Sequence, residues 1–466
     1  MAAVTLSVVI PAHNAAATLR DTLECLLAQT NRDWEAIVVD DGSTDDTREI
    51  AQAHVRRDGR FRLLSDGRPA QGASAARNRG IAAAAGRWLL FLDSDDWLET
   101  AFVEKMISAA MRHGHAVVYC SYRHVMTDGR QGLPSLDTRV AIEPFETLAR
   151  ACPLVIHSVV LERTLVDGAG GFDEALRVAE DWDFWQRVAR TGAAFHPVRN
   201  TVVFYRSRQN SLSSNVRGRL HDAERVIDRG FGPDPRVARP APRHALGAGA
   251  GRPKELVLGY LAVWAAAFDI GERGTGEGFV KPLADRWEDL LETCQLTIVG
   301  GFLRGARLLP GDRCETNVGF VAAMKRLLEE IERAANRPGL AQVLAFALEP
   351  DILDPLQPRE QFVSGRTLFV RQDIRALRPV EALSGVETLN IEFRVDGRYL
   401  ARAEVPFSDT ISAHEITRIA VRAVSVLVFL KQSGVLRRPR LWPPTVIAVA
   451  RRISSKAASA FSRRRP

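Results

Sequence analysis

From Val4 to about Ser94, short apolar runs bounded by turn residues alternate with longer stretches patterned at helical spacing. Leu6 to Ile10, Trp34 to Val39, Phe61 to Leu64 and Trp88 to Leu92 predict strands, and Ala16 to Thr30, Thr44 to His54 and Ala73 to Ala85 predict the helices between them. In the first helix Leu19, Leu23, Leu26 and Leu27 form one apolar stripe, the face expected to enter a core. Strands alternating with helices predict a mostly parallel sheet with covering helices, an α/β fold. A helix from Leu98 to His113, a strand from Ala116 to Tyr122 and a helix from Trp182 to Arg190 continue the domain, which is expected to close near residue 230.

The pattern then breaks. Residues 231–254 are rich in Pro, Gly and Ala and read as a linker. Residues 255–350 read as a helical segment, with helices expected over Glu255 to Ile270, Trp287 to Ile298, Val318 to Ala335 and Leu340 to Leu348. In residues 351–430 the period changes to two: Leu389 to Val395 and Arg398 to Val405 flank Asp396-Gly397, a hairpin signal, so a small α+β module is expected. Residues 431–466 form a basic amphipathic tail.

Composition narrows the classes. A chain of 466 residues with 46% apolar and 26% charged residues can bury a core in more than one domain. Five scattered cysteines without a Cys-x-x-Cys pair argue against a disulfide framework or a zinc knuckle and predict free thiols in a reducing, cytoplasmic compartment. The first apolar run carries no preceding basic stretch and stops at Pro11, which predicts a strand and no signal peptide. No apolar stretch reaches the roughly 20 residues a spanning helix needs, so a soluble or peripheral protein is expected.

The net charge of +7 is local: residues 416–466 hold 12 Lys and Arg and no acid, leaving 51 basic against 56 acidic residues elsewhere. That asymmetry speaks against a nucleic-acid partner and for an anionic surface met by the tail. There Val446, Val449, Ala450, Ile453, Ala457, Ala460 and Phe461 share one helical face, with Trp442 before them, and Arg452, Lys456, Ser459 and Arg463 share another. This layout suits an interfacial helix on an anionic membrane, against the plain alternative of an amphipathic end packed on its own domain.

Candidate chemistry lies where the strands stop. Val38 to Ser43, Phe91 to Asp96, Gly170 to Glu174 and Glu180 to Asp183 each set acids at or near the end of an apolar run. In an open α/β sheet, ligands bind at the carboxyl ends of the strands, so an apolar run ending in Asp-x-Asp delivers oxygen ligands to that crevice. Clustered carboxylates repel one another and call for a cation or a basic partner. Asp and Gly as ordinary turn formers are the plain alternative for any one segment.

These motifs in this order resemble family-2 glycosyltransferases of the GT-A fold. The matching strings are Val8-Val9-Ile10-Pro11-Ala12-His13-Asn14, Val39-Asp40-Asp41-Gly42-Ser43-Thr44-Asp45, Ala76-Arg77-Asn78-Arg79-Gly80, Phe91-Leu92-Asp93-Ser94-Asp95-Asp96 and Glu180-Asp181-Trp182-Asp183. They cover residues 6 to about 214, somewhat under half the chain. The resemblance implies a nucleotide-sugar-binding domain and inverting transfer of a sugar from a nucleoside diphosphate, UDP-type favoured, to a hydroxyl of a glycan or lipid-linked acceptor, in cell-envelope polysaccharide synthesis.

It also implies roles. Asp95, with Asp93, would hold Mg²⁺ or Mn²⁺, both hard cations suited to carboxylate oxygens; Asp93 would lie nearer the ribose. Asp41 would take the nucleobase position while Asp40 fixes its loop, and Pro11 and Asn14 belong to the same donor-binding set. Arg77 would approach the diphosphate, its guanidinium matching phosphate oxygens in a fork, whereas Arg79 fits a solvated helix face. Asp181 matches the general base and Glu180 would orient the loop or acceptor. Arg206 and Arg208 are candidates for phosphate contact, although the family commonly has His where this chain has Arg208. Two positions stay open: Asp96, as a contributor to the site or a cap of the next helix, and Trp182. Trp185 is expected in the core, and His13, His157 and His196 are given no role.

Other readings compete. Leu90 to Asp95 is also the pattern of a haloacid-dehalogenase-type phosphatase, but such a motif belongs to a first strand, and the position two after Asp95 is Trp97, not Thr or Val. A P-loop hydrolase needs an early lysine, and the first here is Lys105. A non-catalytic carbohydrate-binding protein would not need both a metal motif and a separate Glu-Asp motif.

Overall fold

The structure, a computed structural model, describes residues 4–249 apart from 115 and 208–214, residues 254–280 apart from 273, and farther along 318–335 and most of 361–423, with a few isolated positions between 297 and 344. Two compact units follow one another, divided after Ala265. Arg208, the tail, and most of the helices expected over 287–298 and 340–348 lie outside the described residues.

The first unit is built on an eight-stranded sheet: β1 (Leu6–Ala12), β2 (Trp34–Asp40), β3 (Phe61–Leu64), β4 (Trp88–Phe91), β5 (Trp97–Leu98), β6 (Val117–Val125), β7 (Val159–Glu162) and β8 (Phe195–Arg206). The spatial order is β3-β2-β1-β4-β7-β6-β8-β5. β3, β2, β1 and β4 run parallel, β7 is antiparallel to both β4 and β6, and β6 pairs parallel with β8. This is the expected α/β class. β1, β2 and β4 are almost entirely buried because helices cover both faces, so their sequences are continuous apolar runs.

The helices are α1 (Leu19–Leu27), α2 (Thr47–Arg57), α3 (Ala73–Ala83), α4 (Phe102–His113), α5 (Arg139–Ile142), α6 (Pro144–Leu148), α7 (Arg163–Ala169), α8 (Glu180–Arg190), α9 (Val216–Gly230) and α10 (Lys254–Gly271). Leu19, Leu23 and Leu26 of α1 are fully buried on one side of the sheet, as the stripe predicted. Each such side chain contributes about 1.5–3 kcal/mol. Under the other side, Phe91, Phe172, Phe184 and Trp185 pack together, with Phe172 and Phe184 stacked 4.3 Å apart and Phe91 edge-on to both. Trp185 is a core residue as expected, and Trp182 is one too, its indole N–H donating to the Leu148 carbonyl.

Two expectations are corrected here. The helix expected from Leu98 begins only at Phe102, because Trp97–Leu98 pairs with Phe204 and Val203 as a strand. The stretch 231–249 is no free linker: Asp234, Val237 and His244 are buried, Pro242–His244 forms a 3-10 turn, and the Ala248 N–H donates to the Gly230 carbonyl (2.8 Å). Composition misled because Pro and Gly exclude long helices and strands without excluding packing.

In the second unit a four-stranded sheet, order β12-β11-β10-β9, comprises β9 (Gln361–Ser364), β10 (Thr367–Asp373), β11 (Thr388–Val395) and β12 (Arg398–Pro406). β11 and β12 pair antiparallel as the hairpin signal predicts. Leu389, Ile391 and Phe393 bury one face against Ile416 and Ala420 of the helix Ala413–Ala423, giving the expected α+β module. The helix Val318–Ala334 matches the one expected over Val318 to Ala335.

Candidate active site

β1, β2 and β4 end side by side, and the loops leaving them carry the acidic motifs. Pro11 lies within β1 opposite Val39. Just after it Asn14 adopts φ 48°, where its Oδ1 accepts the Thr44 N–H (2.9 Å) and its own N–H donates to Ser43 Oγ (3.1 Å). Asn14 thereby stitches the loop after β1 to the loop after β2.

Asp40 is buried and accepts from Arg48 (2.9 Å), Ser65 Oγ (2.8 Å) and the Ser43 N–H (3.1 Å). Burial alone would raise its pKa, but these donors outweigh it and hold the carboxyl below its ordinary range. Asp40 is thus a loop anchor, in line with its expected part. Asp41, 4% exposed, takes the N–H groups of Gln71 (3.0 Å) and Gly72 (2.7 Å) on one oxygen and Arg79 (2.6 Å) on the other. Gly72 has φ 103°, and a Cβ on Gly42 would come within 2.8 Å of Arg68 O and Ala70 N, so residues 68–72 lie tightly over the Asp41-Gly42 turn. Arg79 is therefore not a solvated helix residue: it ion-pairs with Asp41 and Asp66.

α3 brings the other arginine inward. Gly80 lets α3 sit directly on β1, since a Cβ there would collide with Val9. Arg77, buried at 3% exposure, donates to Asp93 (2.7 Å) and to Glu180 (2.7 Å), two carboxylates that lie far apart in sequence. Burial disfavours its charge, but Asp93 and Glu180 overcome that and raise its pKa. Asn78 beside it binds the Phe172 N–H and carbonyl, tying α3 to the loop 170–174.

The acidic turn itself spans Asp93 to Asp96. Asp96 caps no helix. It is buried, accepting the Arg206 N–H (2.7 Å) with His157 Nδ1 3.1 Å away, while Thr22 holds its carbonyl (2.8 Å). Burial first, then the charges of Asp95 and Asp93, push its carboxyl well above the ordinary value. His157 has a structural place after all, fully buried and stacked near Tyr205, and burial pushes its pKa down to about 4. Arg206 reaches the turn from β8: it donates to the Asp95 carbonyl (2.9 Å) and to Asp21 (2.9 Å) and lies 4.8 Å over Trp97.

Glu180 and Asp181 open α8, preceded by Ala179 at φ 69°. The Asp181 carboxylate accepts the Trp182 N–H (2.7 Å). Burial, then the Glu180 charge, push Asp181 up to about 6, with Arg77 opposing. A carboxylate so tuned changes protonation near neutral pH, as a general base requires. Arg77 is thus the link that sets the acidic turn and the Glu-Asp pair in one place.

Not every acidic segment joins them. Asp173 and Asp183 face arginines instead: Asp183, fully buried, pairs with Arg187 (2.8 Å), Arg229 (2.9 Å) and Arg236 (2.8 Å), and Asp173 pairs with Arg229 (3.0 Å) and Arg236 (2.9 Å). Glu174 accepts from Asn78 (2.9 Å). No motif in the sequence points to Asp222, Arg229 and Arg236, whose partners in or before α8 lie 44 to 63 residues away. Nor does one point to Arg177, which donates to the Gln71 carbonyl beside the Asp41 loop (3.1 Å).

A family model described as glycosyl transferase family 2 matches residues 7–161. EpsJ of Bacillus subtilis, described as an uncharacterized glycosyltransferase, is 31% identical over 216 residues, 44% of this chain and 62% of that protein. The succinoglycan biosynthesis protein ExoO of Rhizobium meliloti is 32% identical over 238 residues, 48% of this chain and 66% of that protein. WfgD of Escherichia coli, a UDP-Glc:alpha-D-GlcNAc-diphosphoundecaprenol beta-1,3-glucosyltransferase, is 29% identical over 211 residues, 45% of this chain and 79% of that protein. The chain therefore spans under two thirds of EpsJ and of ExoO.

Proposed function

The chain belongs to glycosyl transferase family 2, and on that premise we propose that it moves a sugar from a nucleoside diphosphate, UDP-type favoured, to a hydroxyl of a glycan or lipid-linked acceptor, with inversion, in cell-envelope polysaccharide synthesis. The observation that carries this reading is the double contact of Arg77 with Asp93 and Glu180, which gathers a metal-type acidic turn and a base-type carboxylate pair at one sheet edge. The UDP-Glc-dependent activity of WfgD supports the donor class and a lipid-linked acceptor, and the part of ExoO in succinoglycan biosynthesis supports the polysaccharide setting.

In this proposal Asp181 takes the proton from the acceptor hydroxyl as it attacks the anomeric carbon, and Glu180, held by Arg77, keeps the first turn of α8 in place. Asp41, oriented by the amides of Gln71 and Gly72, faces the base, and Arg206 lends positive charge beside Asp95. The turn suits a divalent cation: Asp93 and Asp95 are hard oxygen donors two residues apart, and the charge that raises the pKa of Asp96 is what a cation would relieve. Among the described residues no third His, Cys, Asp or Glu joins them as a ligand cluster, which leaves phosphate oxygens and water to complete the shell of Mg²⁺ or Mn²⁺. When bound, the ion would neutralise charge developing on the leaving diphosphate.

The phosphatase reading loses its footing, since the acidic turn follows the fourth strand of a sheet whose parallel half matches family 2. No helix among the described residues is long and apolar enough to cross a membrane. Peripheral attachment through the basic tail remains part of the proposal, supported by the charge pattern of residues 442–463.

The deciding experiment offers purified protein a panel of nucleotide-sugars with Mn²⁺, Mg²⁺ or chelator, alongside Asp95→Ala and Asp181→Ala. Metal-dependent turnover of one donor, abolished in both variants, is expected. Phosphate-ester hydrolysis, or donor binding without turnover in the wild type, would overturn the reading.

A further inference from the structure

The stretch 231–249 holds the helix that carries Asp181. Arg236 extends from it between three carboxylates, donating to Asp234 (2.7 Å), to both oxygens of Asp183 (2.8 and 3.1 Å) and to Asp173 (2.9 Å). Arg229, at the end of α9, grips the same Asp173 and Asp183 oxygens. Farther along α8, Arg190 donates to the His244 carbonyl (2.9 Å), and the Ala241 N–H donates back to the Arg190 carbonyl (2.9 Å). One segment therefore holds α8 at two levels, at Asp183 and at Arg190, about two turns apart.

Asp183 stands two residues after Asp181, about 200° around a helix of 3.6 residues per turn. A helix gripped at Asp183 presents Asp181 on its opposite side; Asp183 is fully buried and Asp181 half-buried. The helix also starts from a strained point. Ala179 sits at φ 69°, a conformation that persists in an ordinary residue only where its surroundings over-determine it. Asp222 of α9 fixes the approach by accepting the N–H groups of Arg177 (2.9 Å) and Val178 (3.1 Å), and the Asp183 cluster fixes the exit. Burying so many charges is a poor way to gain stability, since apolar packing of equal volume does as well or better, but a fork of directional bonds sets one orientation.

We propose that Arg236 is a positioning residue for sugar transfer: by clamping Asp183 it fixes the roll of α8, and so the placement of Glu180 and Asp181 at the mouth of the site. This rests on the reading of Asp181 as the general base. The proposed donor residues Asp41 and Asp95 stand on other elements, and only Asp93 is tied to α8, through Arg77 and Glu180, so loss of the clamp falls on turnover more than on donor binding.

The test is a double-mutant cycle with Arg236→Met and Asp181→Asn in the full chain, measuring kcat, donor KM and melting temperature, with Arg236→Lys as the variant that keeps the charge without the fork. Misplacing a reacting group by about 1 Å costs up to roughly 100-fold, so Arg236→Met is expected to lower kcat about 10- to 100-fold with a much smaller change in donor KM. Arg236→Lys should recover part of that loss. The double variant should fall no further than Asp181→Asn alone, because a misplaced base that is already gone costs nothing more. Wild-type kcat in a folded Arg236→Met or Arg236→Lys, or a double variant that loses the two effects multiplicatively, overturns the inference while leaving the base assignment intact. Full transfer by Asp181→Asn overturns the base assignment and this inference with it.

Discussion

Replacing Arg77 by Met keeps the aliphatic stem and removes the charge that Asp93 and Glu180 share. Both hydrogen bonds are 2.7 Å and the arginine is 3% exposed, so the variant leaves two carboxylates facing each other across an apolar stem. Removing one partner of a buried ion pair costs about 3–5 kcal/mol. Asp93 and Glu180 keep 30% and 14% of their side-chain surface and can rehydrate in part, which favours the lower end, about 3 kcal/mol. At roughly 2–4 °C per kcal/mol for a unit of this size, the melting temperature should drop by about 6–12 °C. A second signature is independent of stability. Arg77 opposes the rise of the Asp181 pKa, so without it Asp181 should titrate above 6 and the acid limb of the pH–rate profile should move to higher pH. Thermal melts and a pH series of kcat/KM measure both. An unchanged melting point together with an unmoved acid limb would refute the claim that Arg77 joins the two acidic motifs.

In the wild type, transfer should rise with pH through about 6 as Asp181 loses its proton; a flat profile between pH 5 and 7.5 would remove Asp181 as base. The same shift has the opposite sign for stability. Asp181 holds its proton more tightly folded than unfolded, so its contribution to stability is present below about pH 4 and lost as pH rises through about 6; calorimetry of wild type against Asp181→Asn across that window should show the difference. Ala179→Gly relieves roughly 1–2 kcal/mol of left-handed strain against about 0.5–1 kcal/mol of added chain entropy, so the melting temperature should hold or rise slightly, and a clear fall would contradict the strain. Truncation after Leu441 should abolish binding to anionic vesicles, and retained binding would show that the tail is not the membrane contact.

Much of the site was legible because its parts sit on local signals. Asp40, Asp41, Asp93 and Asp95 follow apolar runs whose lengths announce strands, and the strand order of a parallel sheet then brings those ends together. Asp181 came from a short motif at a helix start. What stayed hidden depended on contacts between distant segments. Arg77 and Arg79 lie two residues apart on one helix, about 200° around it, and only Arg77 was expected at the site, yet both meet site carboxylates, Arg77 at Asp93 and Arg79 at Asp41. Asp96 stayed open between the site and a helix cap because a helix follows nearby, whereas Trp97 pairs with Phe204 as a strand before that helix begins. The acids Asp173 and Asp183 could not be separated from the site acids until their arginine partners, up to 63 residues away, were placed.

The Arg236 clamp sets where this catalytic unit can be divided. A fragment ending at the last residue of α9 would keep the proposed base and the proposed donor residues up to Arg206, yet it would strand Asp183 and Asp173 with fewer cations and release the segment that grips Arg190. Exchange of acceptor-side sequence between relatives meets the same constraint: α8 and residues 231–249 form one heritable block, and a chimera that splits them should fold poorly or turn over slowly even when both parents are active.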